Sequence, residues 1–449
     1  MSQKNSWDVV VVGGGVSGCM AAFAAAKQGA DTLIIERYGF LGGALTNSGV
    51  GPMMTFHAGA RQVVTGLPQE LVDRLSDKNA SVGHIEDTIS YASSVTPFDA
   101  EVLKLVLDEM ALDYGVDVLF HATLSGVRRT GDSISSITVQ TRSGALEIQG
   151  KIFIDATGDA ALSFEAGADV RIGRSSDGLC QPMTANMKVA GVDIKRLKDE
   201  IRNNPENFNV KDLSSLDRSP KLSVAGFVRE FNRAKKDGKI TTEREDVLLF
   251  ETVNPGEVIL NTTRVIRLSP VEPWDLSKAE YEGRRQAFEI INFLRSSCAG
   301  FENAVLLSTG VQIGVRESRR VVGDYVLTAD DLLKSVKFTD SIALGGYPID
   351  IHNPTGAETA TTHLKPGQFY YIPFRSITVK GFSNLMVCGR CISTTHEAGA
   401  AIRVTPIVMA IGQAAGVAAG ICSVSGIPVR ALDYERLKES LTAINATFE

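Results

Sequence analysis

A glycine-rich segment near the N-terminus constrains the fold more than any other part of the sequence. Residues 8–36 read DVVVVGGGVSGCMAAFAAAKQGADTLIIE. The valine run at 9–12 predicts a strand that is buried on both faces of a parallel sheet. That strand leads directly into the pattern Gly13-x-Gly15-x-x-Gly18, which an alanine-rich segment follows. The sequence therefore predicts a strand, a tight turn and a helix that packs closely on the sheet.

Each glycine of this pattern has a separate physical role. Gly13 permits the tight turn, Gly15 lets the backbone approach a pyrophosphate, and Gly18 allows close packing of helix and strand. A second strand at 32–35 ends at Glu36, whose carboxylate would accept hydrogen bonds from ribose hydroxyls. Because these elements occur in this order, we predict a dinucleotide site. Its predicted contacts are Gly13, Gly15, Val16, Ser17, Gly18 and Glu36.

Two later segments extend the predicted site. RYGFLGGALTNSG, directly after Glu36, supplies a second glycine pair, Gly42 and Gly43, which can pass close to an extended diphosphate. GKIFIDATGDAAL places another strand at 152–155, directly before the ATGD residues at 156–159. The parallel sheet therefore continues late in the chain, after a long intervening segment.

The intervening segment distinguishes between kinds of dinucleotide. Residues 116–150 show the alternation of an antiparallel meander, with turns at 130–132 and 142–144. A meander between two halves of a parallel sheet fits a flavoprotein better than a plain NAD dehydrogenase.

The C-terminal region returns to the same sheet. NLMVCGR at 384–390 reads as a short strand that ends at Gly389, where a flavin can lie against bare backbone. RVTPIVMAIGQAAGVAAGIC then reads as a helix, with Thr405 as its N-cap and Pro406 in the first helical position.

These elements together resemble the FAD-dependent oxidoreductase family, whose FAD domain is of the glutathione-reductase type. GxGxxG with Glu36, ATGD, and NLMVCGR with GQAAGVAAG carry the resemblance, as do GGALTNSG, GLPQELVDRL, GVRESRRVVGDYVLT, YPIDIHNP and IPFRSI. The resemblance covers essentially the whole chain and implies non-covalently bound FAD. It directs the N-terminus of the C-terminal helix at the flavin pyrimidine, where partial positive charge would stabilise the anionic reduced flavin. Further cofactor contacts that it implies are Arg37, Gly42, Gly43, Ala44, Thr46, Leu124, Ala156, Thr157, Gly158, Asp159, Gly389, Arg390, Arg403, Thr405 and Pro406.

The predicted fold class is α/β, with two interleaved domains. A chain of 449 residues exceeds a single ordinary core. A Rossmann-like, parallel-sheet FAD-binding domain with a β-meander is predicted at 1–165 and 381–449. An α+β substrate or cap domain is predicted at 166–380.

The predicted cap domain contains strands, a long helix and a charged segment. PMTANMKVAGVDI and GEVILNTTRV read as strands, and IKRLKDEIRNNPENF reads as the solvated face of a helix. Residues 275–297 read as an amphipathic helix with Asp275 or Ser277 as its cap.

Composition limits the classes of partner. The net charge of −6 is mild and no Lys/Arg-rich run occurs, so nucleic-acid binding has little support. Two apolar segments, 9–26 and 404–421, are too short and too rich in glycine and alanine for convincing membrane spans. We therefore expect no nucleic-acid partner and no membrane span. Since no targeting signal is seen, we expect a cytoplasmic protein.

The segment MVCGRCISTTHEAG places Cys388 and Cys391 at CxxC spacing beside His396. Zinc would need two further ligands, and only His396 is near. Flavin disulfide reductases carry their dithiol after the first nucleotide-binding turn, and this chain has none there. Cys388 closes a predicted buried strand, where cysteine behaves as a small apolar residue. We therefore expect structural thiols rather than a redox pair, and no metal.

The candidate catalytic residues surround the predicted flavin loop. His396 lies between Gly389 and the C-terminal helix, in a predicted loop. Histidine titrates near neutral pH, which suits abstraction of a proton from an alcohol or amine. The alternative role for His396 is a hydrogen bond to the loop or to a flavin carbonyl. The predicted catalytic set is His396, Tyr371, His352 and Arg390.

Several arginines and a tyrosine pair are further candidates if the substrate is acidic. Arg316, Arg375 and Arg403 could each pair with a substrate carboxylate in bidentate geometry. The alternative partners are acidic residues of the chain or the FAD diphosphate. Tyr370 and Tyr371 alternate along a predicted strand, so only one of them faces the flavin.

The predicted activity is transfer of a hydride between flavin N5 and a small or medium organic substrate, at a C–OH, C–N or C–C bond. The first alternative is a flavin-dependent reductase of double bonds, or a monooxygenase, that draws electrons from NAD(P)H. No second GxGxxG unit of strand, turn and helix is visible, which argues against a dedicated NAD(P)H domain. The electron donor or acceptor is left open. The second alternative is a non-catalytic binding protein on the same fold, against which the flavin-side motifs argue.

Replacing both Cys388 and Cys391 with serine is expected to leave reduction of the flavin by substrate largely intact, because neither thiol takes part in electron transfer. An anaerobic reductive titration measures this by counting electron equivalents. Loss of two electron equivalents in the double variant would establish a redox dithiol.

Overall fold

The computed structural model describes residues 4–89 and 91–449. Its N-terminal part alternates strands and helices and then forms three long strands. The strands are Ser6–Val12 (β1), Thr32–Ile35 (β2), Met53–Met54 (β3), His57–Ala58 (β4), Arg61–Gln62 (β5), Val95–Thr96 (β6), Asp117–Leu119 (β7), Thr123–Thr130 (β8), Ser133–Thr141 (β9) and Gly144–Asp155 (β10). The helices are Val16–Lys27 (α1), Ala44–Asn47 (α2), Leu67–Asp77 (α3), Ala100–Asp113 (α4) and Ala161–Glu165 (α5).

The rest of the chain builds a second sheet and then returns to the first one. The middle strands are Val170–Ile172 (β11), Met187–Ala190 (β12), Phe208–Asn209 (β13), Ser223–Gly226 (β14), Val247–Glu251 (β15), Val258–Leu260 (β16) and Val305–Thr309 (β17), with helices Ile194–Asn203 (α6), Ser215–Arg218 (α7), Val228–Lys236 (α8) and Pro273–Ser297 (α9). The last strands are Arg319–Val321 (β18), Ser341–Gly345 (β19), Ile349–His352 (β20), Thr359–Thr362 (β21), Tyr370–Pro373 (β22) and Leu385–Val387 (β23), with helices Ala329–Leu333 (α10), His396–Ile402 (α11), Thr405–Ser425 (α12) and Tyr434–Ala443 (α13).

The first sheet is parallel at its centre, as the valine-rich N-terminal strand predicted. β1 pairs in parallel with β2 on one side and with β10 on the other, and β10 pairs in parallel with β23. The register places Val12 beside Ile35 and Asp155, and Asp155 beside Val387. These strands therefore end together at one edge, which is where open α/β sheets bind ligands.

The predicted meander is confirmed, with one correction. β8 and β9 are antiparallel, and so are β9 and the first half of β10. The sequence predicted a separate strand at 152–155 after the meander. In the structure, the last strand of the meander and this later strand form one strand of 12 residues, β10. The strand runs on because its first half pairs with β9 and its second half pairs with β1 and β23.

Helices α1 and α12 pack against each other at backbone distance. A Cβ placed on Gly412 would overlap the carbonyl oxygen of Ser17, and one placed on Gly416 would overlap that of Ala21. The hydroxyl of Ser17 donates a hydrogen bond to the carbonyl oxygen of Val408 at 2.8 Å. Small residues on both helices permit this approach, which larger side chains would prevent.

This packing explains the apolar character of α12. The helix is long and apolar enough to cross a membrane by length and composition, with a mean hydropathy of 1.9. However, 94% of its apolar window is buried inside the protein. Helix α12 is therefore accounted for as a core helix that packs on the sheet and α1. The expectation that this segment is too short to span a membrane was wrong, since the helix has 21 residues.

The second sheet has its own layer of helix. Within the described residues it has six strands, in the order β13-β14-β15-β16-β12-β17. Helix α9 contributes buried residues to the core of this sheet. The predicted cap of α9 was wrong, because the helix begins at Pro273, whose fixed φ favours the first turn. Asp275 instead accepts a hydrogen bond from the Ser269 N–H at 2.9 Å.

The hydrophobic cores follow the two sheets. One cluster of buried side chains surrounds the first sheet, and another lies between 187 and 304 under the second sheet. The first cluster also includes buried residues between 321 and 379, which the sequence-based boundary assigns to the cap domain. The division into domains at 166 and 380 stays a prediction.

Adding a methyl group at Gly416 is expected to separate α1 from α12. Gly416→Ala should lower the thermal midpoint, because its methyl group would overlap the backbone of α1. The cost of overpacking, which reaches about 3 kcal/mol, then exceeds the gain in helix propensity of about 1 kcal/mol. Differential scanning calorimetry measures this. Val424→Ile is the matched control, since it adds one carbon to an exposed side chain of the same helix. Equal midpoints for Gly416→Ala and the control would contradict the close packing.

Candidate functional site

The turn between β1 and α1 presents free backbone donors at the edge of the sheet. Gly15 is the N-cap of α1, and no side chain caps this end of the helix. The first turn of α1 also contains no acidic residue. The unpaired N–H groups and the helix dipole therefore favour an anionic group, as a diphosphate would supply.

The glycines of this turn divide into two kinds. A Cβ on Gly13 would lie 2.5 Å from the carbonyl oxygen of Ala156, and one on Gly18 would overlap the carbonyl oxygen of Gly13. Both glycines are therefore required by the packing of the protein itself. A Cβ on Gly15 would meet only the Cα of Gly43, at 3.8 Å, and φ of Gly15 is −65°. Since the protein does not require glycine at position 15, the space beside it fits the close approach of a pyrophosphate.

Glu36 lies at the end of β2, as predicted, and is buried. One carboxylate oxygen accepts the N–H of Gly14 at 2.7 Å, and the other accepts the N–H of Tyr38 at 2.9 Å. Burial raises the pKa of Glu36, and these backbone donors oppose the shift. Each oxygen keeps a lone pair that a ribose hydroxyl can use. Arg37, a predicted cofactor contact, instead donates to the side chain of Gln312 at 2.6 Å.

The second glycine pair lies directly beside the first turn. The N–H of Gly42 donates to the carbonyl oxygen of Gly14 at 2.9 Å. Gly43 then precedes α2, in which Ala44 is the first residue. The hydroxyl of Thr46 donates to the carbonyl oxygen of Leu41 at 2.8 Å, so it holds the loop. Of the remaining predicted contacts, Leu124 lies on β8 opposite Val139.

The ATGD segment is tied to the C-terminal part of the site. Thr157 is held by the buried Asp155, which accepts its N–H at 3.1 Å and its hydroxyl at 2.7 Å. Gly158 packs against the guanidinium of Arg390, and Asp159 accepts a hydrogen bond from that group at 2.5 Å. The predicted contacts Ala156, Thr157, Gly158 and Asp159 therefore lie together with Arg390.

The approach to α12 contains a helix where the sequence predicted a loop. Thr395 caps α11, because its hydroxyl accepts the N–H of Ala398, and His396 is the first residue of that helix. The cap of α12 is Val404 rather than Thr405, so Thr405 and Pro406 occupy the first turn. No side chain caps this end of α12, which leaves its backbone donors free.

Gly389 lies beside the start of α1. Its φ is +87°, a conformation that favours glycine, and a Cβ there would lie 3.8 Å from the Cβ of Ser17. Both predicted flavin-side elements, the Gly389 turn and the N-terminus of α12, therefore border the first glycine turn.

The two cysteines of the CxxC segment are buried thiols. The Sγ of Cys391 lies 3.5 Å from the carbonyl oxygen of Cys388. Burial raises the pKa of Cys388 to about 12 and raises that of Cys391 well above its usual value. Neither residue is therefore a thiolate at neutral pH. No cluster of His, Cys, Asp or Glu that could hold a metal occurs among residues 4–89 and 91–449.

His396 forms a buried dyad with Glu317. The Nδ1 atom of His396 lies 2.9 Å from the Glu317 carboxylate, which also accepts the guanidinium of Arg320 and the N–H of Gln181. The Nε2 atom of His396 is buried and has no hydrogen-bond partner among the residues that the structure describes. The dyad fixes the orientation of the imidazole and leaves one ring nitrogen available.

His352 lies in a different cluster, on strand β20. Its Nε2 lies 3.0 Å from the carboxylate of Asp350, and its Nδ1 lies 2.9 Å from the guanidinium of Arg264. Burial lowers the pKa of His352 to about 3, although Asp350 opposes the shift. His352 is therefore neutral near pH 7. Arg403, predicted as a cofactor contact, donates to Asp350 at 3.4 Å.

The other candidates are spread over the structure. Tyr370 and Tyr371 alternate on β22, and Tyr370 is the buried one. Tyr371 packs against the ring of Phe369. Arg375 forms a bidentate ion pair with Asp340 on the surface. Arg390 thus contacts the ATGD segment, and Arg403 contacts Asp350, the partner of His352. Arg375 contacts neither group.

Sequence reasoning missed the partners that orient these side chains. Glu317 was considered only as a partner for arginine, and nothing in the sequence linked it to His396. Ser318, whose hydroxyl donates to Asp159 at 2.7 Å, and Arg264 were not considered. Their contacts join segments that are far apart in the chain, so no local pattern could have indicated them.

Comparison with known families agrees with this geometry. A family model described as FAD dependent oxidoreductase matches residues 8–441. That range includes the glycine turn, the ATGD segment, the Gly389 turn and α12.

Two curated relatives match parts of the chain. Digeranylgeranylglycerophospholipid reductase 1 of Methanococcoides burtonii is 23% identical over 205 residues, which cover 42% of this chain and 46% of the relative. Thiamine thiazole synthase of Methanococcus vannielii is 27% identical over 163 residues, which cover 34% of this chain and 57% of the relative. The chain spans about half the length of these relatives.

Two solved structures have a similar fold. The flavin-dependent brominase Bmp2 has a TM-score of 0.51 and 13% identity, and the match covers 98% of this chain and 84% of that one. The p-nitrophenol 4-monooxygenase PnpA of Pseudomonas putida DLL-E4 has a TM-score of 0.51 and 10% identity, over 97% of this chain and 84% of that one. These likenesses show the fold.

Substitution of the two kinds of glycine is expected to have two different effects, loss of FAD or loss of the fold. Gly15→Val should fold and lose FAD, because its side chain would fill only the space beside the turn. Gly18→Val should lose the fold, because its side chain would overlap backbone. Circular dichroism and the flavin absorbance of the purified proteins measure the two effects. A Gly15→Val protein with full FAD occupancy would show that the pyrophosphate lies elsewhere.

Proposed function

Because this chain belongs to the FAD-dependent oxidoreductase family, we propose that it transfers a hydride between FAD and a small or medium organic substrate. FAD, when bound, supplies the redox-active ring. The protein has to hold the cofactor, orient the substrate and move a proton. The groups proposed to hold FAD are the glycine turn at 13–18, Glu36, the pair Gly42 and Gly43, the ATGD segment at 156–159, Gly389 and the N-terminus of α12.

The observation that carries the proposal is the His396–Glu317 dyad. Because Nδ1 of His396 lies against a carboxylate, the hydrogen bond assigns the proton to Nδ1 and the lone pair to Nε2. The buried Nε2 has no partner within the described residues. Leaving such an atom unsatisfied costs about 1–3 kcal/mol, which a ligand that donates a hydrogen bond would recover.

We propose His396 as the general base for a C–OH or C–N bond. Nε2 would accept the proton of the substrate heteroatom as the neighbouring C–H bond is oxidised. Glu317 is a positioning residue, which fixes the ring and stabilises its protonated form. His396 also follows the Gly389 turn and precedes α12, so it belongs to the segment that joins the two flavin-side elements.

The second candidate function is reduction of a double bond, or monooxygenation, with electrons from NAD(P)H. The names of a reductase of geranylgeranyl lipids and of p-nitrophenol 4-monooxygenase, among the similar proteins, favour keeping it. A base oriented by a carboxylate favours the oxidative direction instead. Reduction of the flavin by NADPH in the absence of any organic substrate would favour the second candidate.

We propose a cytoplasmic location and a small-molecule substrate. The six cysteines are free thiols and all are buried, as expected for a protein in a reducing compartment. The electron donor or acceptor follows from the direction of the reaction and is proposed to be a diffusible partner.

His396→Asn is expected to keep FAD and to slow flavin reduction by substrate by a factor of about 10²–10⁴, the usual effect of removing a general base. Anaerobic stopped-flow reduction of the flavin by substrate measures this rate.

His121→Asn is the matched control, since His121 is exposed and asparagine suits its φ of +54°. An unchanged rate in His396→Asn would remove His396 from the catalytic role and leave the dyad as a structural contact.

A further inference from the structure

Four arginines converge between the second sheet and the N-terminus of α12. Arg264 lies beyond β16, and Arg316 follows a bridge between Thr184 and Gly314. Arg403 is the C-cap of α11 and lies directly before α12. Arg244 lies on a segment that hydrogen-bonds to the chain at residue 262. We call these four residues the arginine cluster.

The arginine cluster lies beside the loop that follows Gly42 and Gly43. The side chain of Asn186 donates to the carbonyl oxygen of Ser48 at 2.9 Å, and the N–H of Gln312 donates to that of Asn47 at 3.1 Å. Asn47 is the last residue of α2, which follows the second glycine pair. The segment that carries Arg316 therefore contacts the loop that we propose to border FAD. The segment around Asn186 contacts it too, and that segment hydrogen-bonds to Thr263, next to Arg264.

Direct ion pairs balance only half of the charge in the cluster, although the charge of Glu245 also acts on Arg264. Arg403 pairs with Asp350, and Arg244 pairs with Asp246. Arg264 and Arg316 form no ion pair with any carboxylate of the described residues, and they donate instead to carbonyl, hydroxyl, amide and imidazole groups. Four guanidinium groups thus contact two carboxylates, and neutral His352 adds no charge.

Several polar atoms of the cluster lack partners. The Nε–H groups of Arg244 and Arg403 are buried and donate no hydrogen bond to the described part of the chain. The Oδ1 atom of Asp350, a residue that is 5% exposed, is likewise unpaired there. Buried donors and acceptors of this kind are satisfied in native proteins, by protein, water or ligand.

Burial and the neighbouring positive charges also lower the pKa values of Arg264 and Arg316. Burial lowers the pKa of Arg264 to about 10, and the charge of Arg244 acts in the same direction. Burial lowers the pKa of Arg316 well below its usual value, with further repulsion from Arg403, Arg264 and Arg244. An anion between these groups would reverse the repulsion.

We propose that the arginine cluster binds a carboxylate of the substrate and so restricts the substrate class to organic acids. This inference rests on the proposed function, because it assigns the anion to the molecule that His396 deprotonates. An arginine edge presents two parallel N–H groups, which match the two oxygens of a carboxylate. The free Oδ1 of Asp350 would accept a hydrogen bond from a hydroxyl or amine of the same molecule.

A purely structural role explains the cluster less well. Each guanidinium that serves only to hold carbonyl groups could be replaced by a neutral donor without the cost of burying charge. Arg375 shows the structural alternative in this chain, since both of its pairing nitrogens face Asp340. The cluster differs because two of its four members lack a carboxylate.

The test is binding of carboxylates to the oxidised, FAD-loaded protein, which requires no turnover. Acetate, benzoate and succinate are titrated beside acetamide, benzamide and succinamide, with phenyl phosphate as the other oxyanion. Perturbation of the flavin absorbance and the shift in thermal midpoint report binding. At least one carboxylate should bind about tenfold or more tightly than its amide.

Variants locate the site. Arg316→Lys keeps the charge and loses the planar edge, so it should weaken carboxylate binding about tenfold or more while FAD content stays the same. Arg403→Lys is the second variant, in case the first does not fold. Arg375→Lys is the matched control, because Arg375 lies outside both the cluster and the proposed cofactor site.

Four results would overturn the proposal: equal binding of acids and amides, no response to any carboxylate, tighter binding of phenyl phosphate than of every carboxylate, or unchanged binding in both cluster variants. Failure of the proposed function can be distinguished from failure of the carboxylate site, because it appears only as an unchanged rate of flavin reduction in His396→Asn. Carboxylate binding to the oxidised protein is independent of that rate.

Discussion

The backbone contact between α1 and α12 is the constraint on which the rest of the structure depends. Gly412 and Gly416 allow α12 to lie on the backbone of α1, and the hydroxyl of Ser17 joins the two helices. Because α1 starts at the glycine turn, the contact also fixes the start of α12 beside that turn. Two uncapped helix N-termini and two glycine loops therefore meet at one edge of the parallel sheet.

This arrangement concentrates positive potential where an extended, anionic cofactor would lie. Free N–H groups at the two helix ends act with the helix dipoles. The carboxylates nearby are already bound: Glu36 by backbone N–H groups and Asp159 by Arg390. They shape the loops without opposing a diphosphate. Beyond this edge lie the His396–Glu317 dyad, which we propose as the proton acceptor, and the arginine cluster, which we propose to bind a carboxylate of the substrate.

The local parts of this design were predictable from the sequence, and the long-range parts were not. The roles of Gly13 and Gly18, the position of Glu36 and the meander follow from short patterns whose physics is local. The helix at His396 was missed because Thr395 caps a short segment rich in alanine and glycine. The pairing of His396 with Glu317, and of Arg403 with Asp350, joins distant segments through tertiary packing. No periodicity or spacing encodes such pairs.

The central claim is that the first glycine turn and Glu36 bind the adenosine diphosphate half of FAD, while the Gly389 turn and α12 bind the flavin half. Equilibrium titration of the deflavinated protein with FAD, and separately with FMN, tests it most directly. The account predicts equimolar binding of FAD and much weaker binding of FMN, which lacks the adenosine half. Equal affinity for FMN and FAD, or no affinity for either, would contradict it.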